Sequence, residues 1–205
     1  LLILEIDDRK IPQLYAIELL GETRPGSTID SLIAAFKDSD SSVRRSAAHA
    51  LGEIGGEKAI DALIAALKDL DNDVRSTAAE ALGEIGGEKA VDSLIAALKD
   101  SDNYVRWNAA EALDEIGGEK AIDALIAALN DSDNYVRWIA AQALVEIGSK
   151  KAIDALIAAL NGSDNYVRWS AAQALVKIGN EKAVDSLITA LIDSCLLYTS
   201  DAADE

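Results

Sequence analysis

Residues 57–87, EKAIDALIAALKDLDNDVRSTAAEALGEIGG, hold one complete unit of the pattern on which the chain is built. Ile60, Leu63, Ile64 and Leu67 fall at i, i+3, i+4 and i+7, the spacing that lines apolar side chains along one face of an α-helix. Lys58, Asp61 and Lys68 lie off that stripe. Asp69-Leu70-Asp71 breaks the helix, and Asp71 is placed to cap the next one, its carboxylate accepting from exposed amides of the first turn. The spacing predicts a second helix from about Asn72 to Ile85, burying Val74, Ala78, Ala81, Leu82 and Ile85. Gly86-Gly87 ends it, because glycine tolerates the left-handed conformation beyond a helix C-terminus.

The unit recurs in both directions at a step of 31 residues. Val-Arg sits at 43/44, 74/75, 105/106, 136/137 and 167/168. Asp30, Asp61, Asp92, Asp123, Asp154 and Asp185 keep the same step, as do Gly55, Gly86, Gly117, Gly148 and Gly179. A fixed period of this size marks a solenoid, in which a single hairpin cannot bury its apolar face and must stack on its neighbours. No segment shows strand periodicity. The expected fold class is all-α, one array of two-helix repeats rather than one or two ordinary domains.

Register extends the array to both ends. Leu1–Asp8 aligns with Leu32–Ser39, and Leu14–Glu22 with the second helix of a unit, so 1–24 reads as a first unit lacking its start and 25–194 as regular units. Pro12 falls in the first turn of that second helix, where a missing N–H costs little. The pattern stops at Cys195. Residues 195–205, CLLYTSDAADE, read throughout as one translated frame of a transposon-type sequencing adapter and are expected to be a non-native tail on an environmental fragment. Cys195 and Tyr198 then carry no function. A natural polar cap is the competing reading.

Composition narrows the function. Half the residues are apolar, and the formal charge is −17. An acidic surface repels phosphate backbones, so nucleic acid is not an expected partner. No apolar run approaches the ~20 residues of a membrane helix, no signal peptide is visible, and the expected location is cytoplasmic. A single Cys provides no disulfide framework. Arg75 and its equivalents lie beside the buried stripe, four residues past the capping Asp, and are expected to form an Asp–Arg ladder between adjacent turns.

The pattern A-[IV]-D-x-L-I-x-A-L-x-D-x-D-x-x-V-R-x-x-A-A-x-A-L-x-x-I-G, over residues 1–194, resembles the short HEAT-like repeat named after phycobilisome lyases. The resemblance implies a right-handed α-solenoid whose second helices line the concave face and whose first helices line the convex one.

Positions that vary between units while the scaffold stays constant carry the functional information. On the open side of the second helix the row reads Ser42, Arg45, Ser46, His49, Glu53 in the first full unit and Asp73, Ser76, Thr77, Glu80, Glu84 in the next. It then becomes Tyr104, Trp107, Asn108, Glu111, Glu115. The following rows are Tyr135, Trp138, Ile139, Gln142, Glu146 and Tyr166, Trp169, Ser170, Gln173, Lys177. Three successive units thus carry Tyr and Trp three apart, and these hold all three Trp residues. Exposed aromatic clusters mark interaction surfaces, and Trp and Tyr are enriched at binding hot spots. The acids and amides around them, Glu111, Glu115, Gln142 and Glu146, favour a basic or amphipathic protein or peptide. Interrepeat packing or simple duplication would produce the same repetition without binding.

Enzymatic chemistry is not expected. His49 is the only histidine and sits in a Ser-rich, acidic row. Deoxyhypusine hydroxylases have a similar repeat fold and hold di-iron through His-Glu pairs, but His49 precedes Ala50, so neither that activity nor a metal cofactor carries over. Asp100-Ser101-Asp102-Asn103 opens like a calcium loop but has Val105 where the turn glycine belongs. The expected function is a non-catalytic, cofactor-free scaffold using the concave face. The alternative, implied by the resemblance, is a chromophore lyase-like subunit holding a bilin in the Tyr/Trp groove.

Overall fold

The computed structural model describes residues 25–162 and 165–201, with side chains over 28–162 and 165–192. The expected first unit over 1–24 lies outside the described residues, as do residues 202–205 and the side chains of Cys195 and Tyr198. The chain divides into two compact units, Leu1–Ile116 and Gly117–Glu205. The first holds α1 (Pro25–Ala35), α2 (Ser41–Ile54), α3 (Glu57–Ala66), α4 (Asn72–Ile85), α5 (Glu88–Ala97) and α6 (Asn103–Ile116). The second holds α7 (Glu119–Ala128), α8 (Asn134–Ile147), α9 (Lys150–Leu160), α10 (Asn165–Ile178) and α11 (Glu181–Asp201). There is no strand among the described residues. The fold is an all-α solenoid of helix pairs repeating every ~31 residues. No helix among the described residues is long and apolar enough to cross a membrane. Helix α11 runs unbroken past residue 195, where the sequence pattern stops.

The expected caps are in place. Asp71 accepts from the amides of Asp73 and Val74, and Asp133 from those of Tyr135 and Val136. Gly86 closes α4 with φ 73°, and Gly87 follows with φ 98°. Two successive positive φ values strain any L side chain, so this joint is Gly-Gly.

In the first unit the even helices form one layer, α2 on α4 and α4 on α6, while α1 packs on α3 and α3 on α5. In the second unit α8 packs on α10, with α7 on α9 and α9 on α11. Each helix from α1 to α10 places one leucine at the centre of this packing: Leu32, Leu51, Leu63, Leu82, Leu94, Leu113, Leu125, Leu144, Leu156 and Leu175 are all fully buried. The remaining contacts are largely alanine, which alters the expected stripes. In α3, Ala59, Leu63 and Ala66 are buried, whereas Ile60, Ile64 and Leu67 are only half-buried. Small residues let the helices approach closely, which pushes the larger aliphatic groups to the flanks. In α4, Ala79 and Gly83 join the buried set and Ile85 is half-buried, because α4 has neighbours on both sides and on its own hairpin partner.

Gly83 marks the closest approach. A Cβ there would lie 2.6 Å from the Ala112 Cβ and 2.8 Å from its Cα, and one on Gly52 would lie 2.8 Å from the Ala81 Cβ. Gly83→Ala is expected to force α4 and α6 apart and destabilise the first unit by about 1–3 kcal/mol, measured by urea unfolding.

The arginine ladder ties adjacent hairpins, but its carboxylate is not the capping Asp. Arg44 Nε and Nη2 donate to both carboxylate oxygens of Asp69 at 2.8 Å, and its Nη1 donates to the carbonyls of Asp38 and Ser39. Arg75 repeats this with Asp100 at 2.9 Å and the carbonyls of Asp69 and Leu70. Each arginine therefore closes its own turn and clamps the turn of the next hairpin in a bidentate geometry. The Arg44 hydrogen bond holds the Asp69 carboxyl below its usual range against the opposing effect of burial. At Asp100 burial is the largest single influence and pushes upward, but the Arg75 hydrogen bond, the Asp102 amide and the other attractions outweigh it. A carboxyl depressed in the folded state contributes stability above its unfolded pKa of about 4, and that contribution is lost as pH falls through the lower folded value. Asp69→Asn is therefore expected to cost about 1–3 kcal/mol at neutral pH, with the difference from the parent shrinking in urea titrations as the pH falls below about 4.

Candidate functional site: an aromatic groove on the second helices

The aromatic pairs stand on the N-terminal halves of the even helices, because the capping Asp and the Asn that follows set the register at which Tyr and Trp emerge. In the first unit, Tyr104 and Trp107 of α6 lie with ring centroids 6.1 Å apart and planes tilted by 40°. Tyr104 is exposed, but Trp107 is half-buried, so this indole is partly used in packing. Asn108, expected on the open face, hydrogen-bonds Ser76 of α4 through its side-chain amide.

The second unit holds the more open arrangement. Tyr135 and Trp138 of α8 are 67% and 38% exposed, and Tyr166 and Trp169 of α10 are 43% and 50% exposed. Together with Ser132, Asp133 and Asn134 they line a groove of about 460 Å³. Tyr166 and Trp169 have centroids 5.8 Å apart and planes at 57°. The structure thus brings together four of the six expected aromatic residues; Tyr104 and Trp107 belong to the other compact unit.

The polar residues do not ring the aromatics as expected. They occupy the C-terminal halves of the same helices. In the first unit, burial and then the charges of Glu111, Glu84 and Glu80 push the Glu115 carboxyl up. Glu80 and Glu84 thus join Glu111 and Glu115 in one strongly acidic patch. In the second unit the charge is offset: Lys177 Nζ lies 3.0 Å from Glu146 and 3.5 Å from the Gln142 Oε1. Gln173 stays exposed beside them. His49 is exposed and lies 3.9 Å from Glu53. No group of three or more His, Cys, Asp or Glu among the described residues is arranged to hold a metal ion.

The ladder position that holds Asp69 and Asp100 in the first unit is Gly162 in the second. Arg137, 6% exposed, donates to the Asp131 carbonyl at 2.6 Å and to the Asn134 Oδ1, and its guanidinium lies 5.7 Å from the centroid of Tyr166.

The model for HEAT repeats matches residues 1–75, 60–144 and 122–203. The chain belongs to the HEAT repeat family. Among solved HEAT-like structures, the complex of CpcE and CpcF of phycocyanin lyase from Nostoc sp. PCC7120 is similar at 32% identity and TM-score 0.59, covering 77% of this chain and 65% of that one. An engineered protein is similar at 28% identity and TM-score 0.51, covering 79% of this chain and 84% of that one. A designed armadillo repeat protein in complex with the peptide (KR)4 shares the fold at 21% identity and TM-score 0.53, covering 85% of this chain and 95% of that one. No curated protein matches the chain.

A carboxyl raised in the folded state opposes folding above its folded pKa, and the opposition is relieved as pH falls through that value. Glu115→Gln is therefore expected to raise the melting temperature at neutral pH, with the gain disappearing below about pH 4, measured by thermal unfolding across that range.

Proposed function

We propose that this HEAT repeat chain, built from the phycobilisome-lyase type of repeat, is a non-catalytic scaffold that binds a protein or peptide. The contact surface is the open, concave side formed by the second helices. The observation that carries this reading is the groove of Tyr135, Trp138, Tyr166 and Trp169, four aromatic side chains left 38–67% exposed side by side. Desolvation of these rings supplies the affinity. The net charge of −17, to which the cluster of Glu80, Glu84, Glu111 and Glu115 in the first unit contributes, attracts a basic or amphipathic partner and raises its rate of encounter. Tyr104 and Trp107 add a smaller aromatic surface there, while Gln142, Glu146, Gln173 and Lys177 stand farther along the helices that carry the groove.

A bilin-binding, lyase-like role is the second reading, favoured by the likeness to the CpcE–CpcF structure at 32% identity. Reconstitution with a bilin separates the two. A coloured complex with shifted visible absorbance supports chromophore binding, and its absence leaves the scaffold reading. An enzymatic reading requires a turnover that is lost on His49→Ala.

Trp138 is central to the groove. Trp138→Ala is expected to weaken binding of an affinity-captured partner by more than ~1 kcal/mol in calorimetric titration. An unchanged affinity removes the groove from the binding site.

A further inference from the structure

The groove of the second unit has a repeat distance, a charge and a ring chemistry that together select one kind of peptide. This inference rests on the scaffold reading above and specifies its ligand.

Trp138 and Trp169 are each the fifth residue of their helix, α8 and α10, and these helices pack directly on one another. Adjacent packed helices stand ~8–10 Å apart, so the two Tyr/Trp pairs repeat along the groove at about that distance. A polyproline II chain repeats every three residues at about 9 Å, with no internal hydrogen bonds and its backbone carbonyls open to outside donors. A proline at every third position therefore meets one aromatic pair per repeat unit. Such a ligand is already extended, so little conformational entropy is lost on docking.

The electrostatics separate this ligand from a cation held in an aromatic cage. The Arg137 guanidinium already lies 5.7 Å from the Tyr166 centroid. A second positive charge on that ring would face the first across it, which weakens the cation–π attraction. A neutral pyrrolidine ring meets no such opposition. Arg137 also fixes Asn134 at the groove edge by donating to its Oδ1, leaving the Asn134 amide as the group that donates to a peptide carbonyl. Away from Tyr166 the balance reverses: the chain carries −17, and an acidic residue, Asp133, lines the groove. Basic residues between the prolines complement that charge.

We propose that the groove between α8 and α10 binds a proline-rich segment in the polyproline II conformation, with prolines about three residues apart against the two Tyr/Trp pairs and lysine or arginine in the intervening positions.

The test is a titration of the full chain, followed by tryptophan emission, with a synthetic peptide of roughly 12 residues carrying proline at every third position and arginine or lysine between. Saturable binding is expected. A peptide of the same length and charge with alanine for proline is expected to bind about tenfold or more weakly. Trp138→Ala and Trp169→Ala, each checked for retained helicity by circular dichroism, should each weaken the proline peptide about fivefold or more. Trp138→Phe keeps a stacking face and should stay within about threefold of the parent. Equal binding of the proline and alanine peptides overturns the proposal, since charge alone would then explain it. So does an unchanged affinity in Trp138→Ala. If no proline peptide binds but Trp138→Ala still weakens the captured partner, this inference fails and the scaffold reading stands. If Trp138→Ala affects neither, both fall.

Discussion

Close approach between neighbouring helices is the constraint on which the rest of this protein depends. A two-helix hairpin of this size has one apolar face and nothing of its own to cover it, so each must be sealed by the next. Alanine and glycine make that seal. Gly52 against Ala81 and Gly83 against Ala112 leave no room for even one added methyl group, and the single buried leucine per helix then fills the centre. The large aliphatic residues that dominate the sequence pattern end up flanking the contact.

The arginine ladder follows from the same stacking. Repetition of one hairpin brings the turn of each unit beside the turn of the next, so one arginine reaches a carboxylate 25 residues along while its remaining N–H groups satisfy carbonyls of its own turn. A partly buried guanidinium with a bidentate partner and bonded carbonyls is stabilising where a solvent-exposed pair is not. The lysine contacts along the odd helices, such as Lys58 with Asp30 and Lys89 with Asp61, are the exposed kind and add little.

Function on such a scaffold is written in departures from the repeat. The aromatic pairs depart on the open face, and Gly162 departs within the ladder. Beside them an arginine, Arg137, lies over Tyr166 at the edge of the most open aromatic surface described. Positions facing the neighbouring hairpin are held by packing, whereas those facing outward are free of that constraint and vary between repeats.

The sequence by itself determined the 31-residue unit, the all-α class, the bounds of α4 from Asn72 to Ile85 and the Asp71 cap, because these rest on periodicity and on bonding within a few residues. It also showed which helices carry Tyr and Trp. Only the tertiary structure decided that Trp107 is half-buried while Trp138 and Trp169 stand open, that Asn108 is bound to Ser76, that Arg44 answers Asp69 rather than its own cap, and that Arg137 lies over Tyr166. Each of these depends on a residue in the neighbouring hairpin. A repeat period fixes which positions are equivalent, but the contact each one makes is set by the distance and side chains of its neighbour.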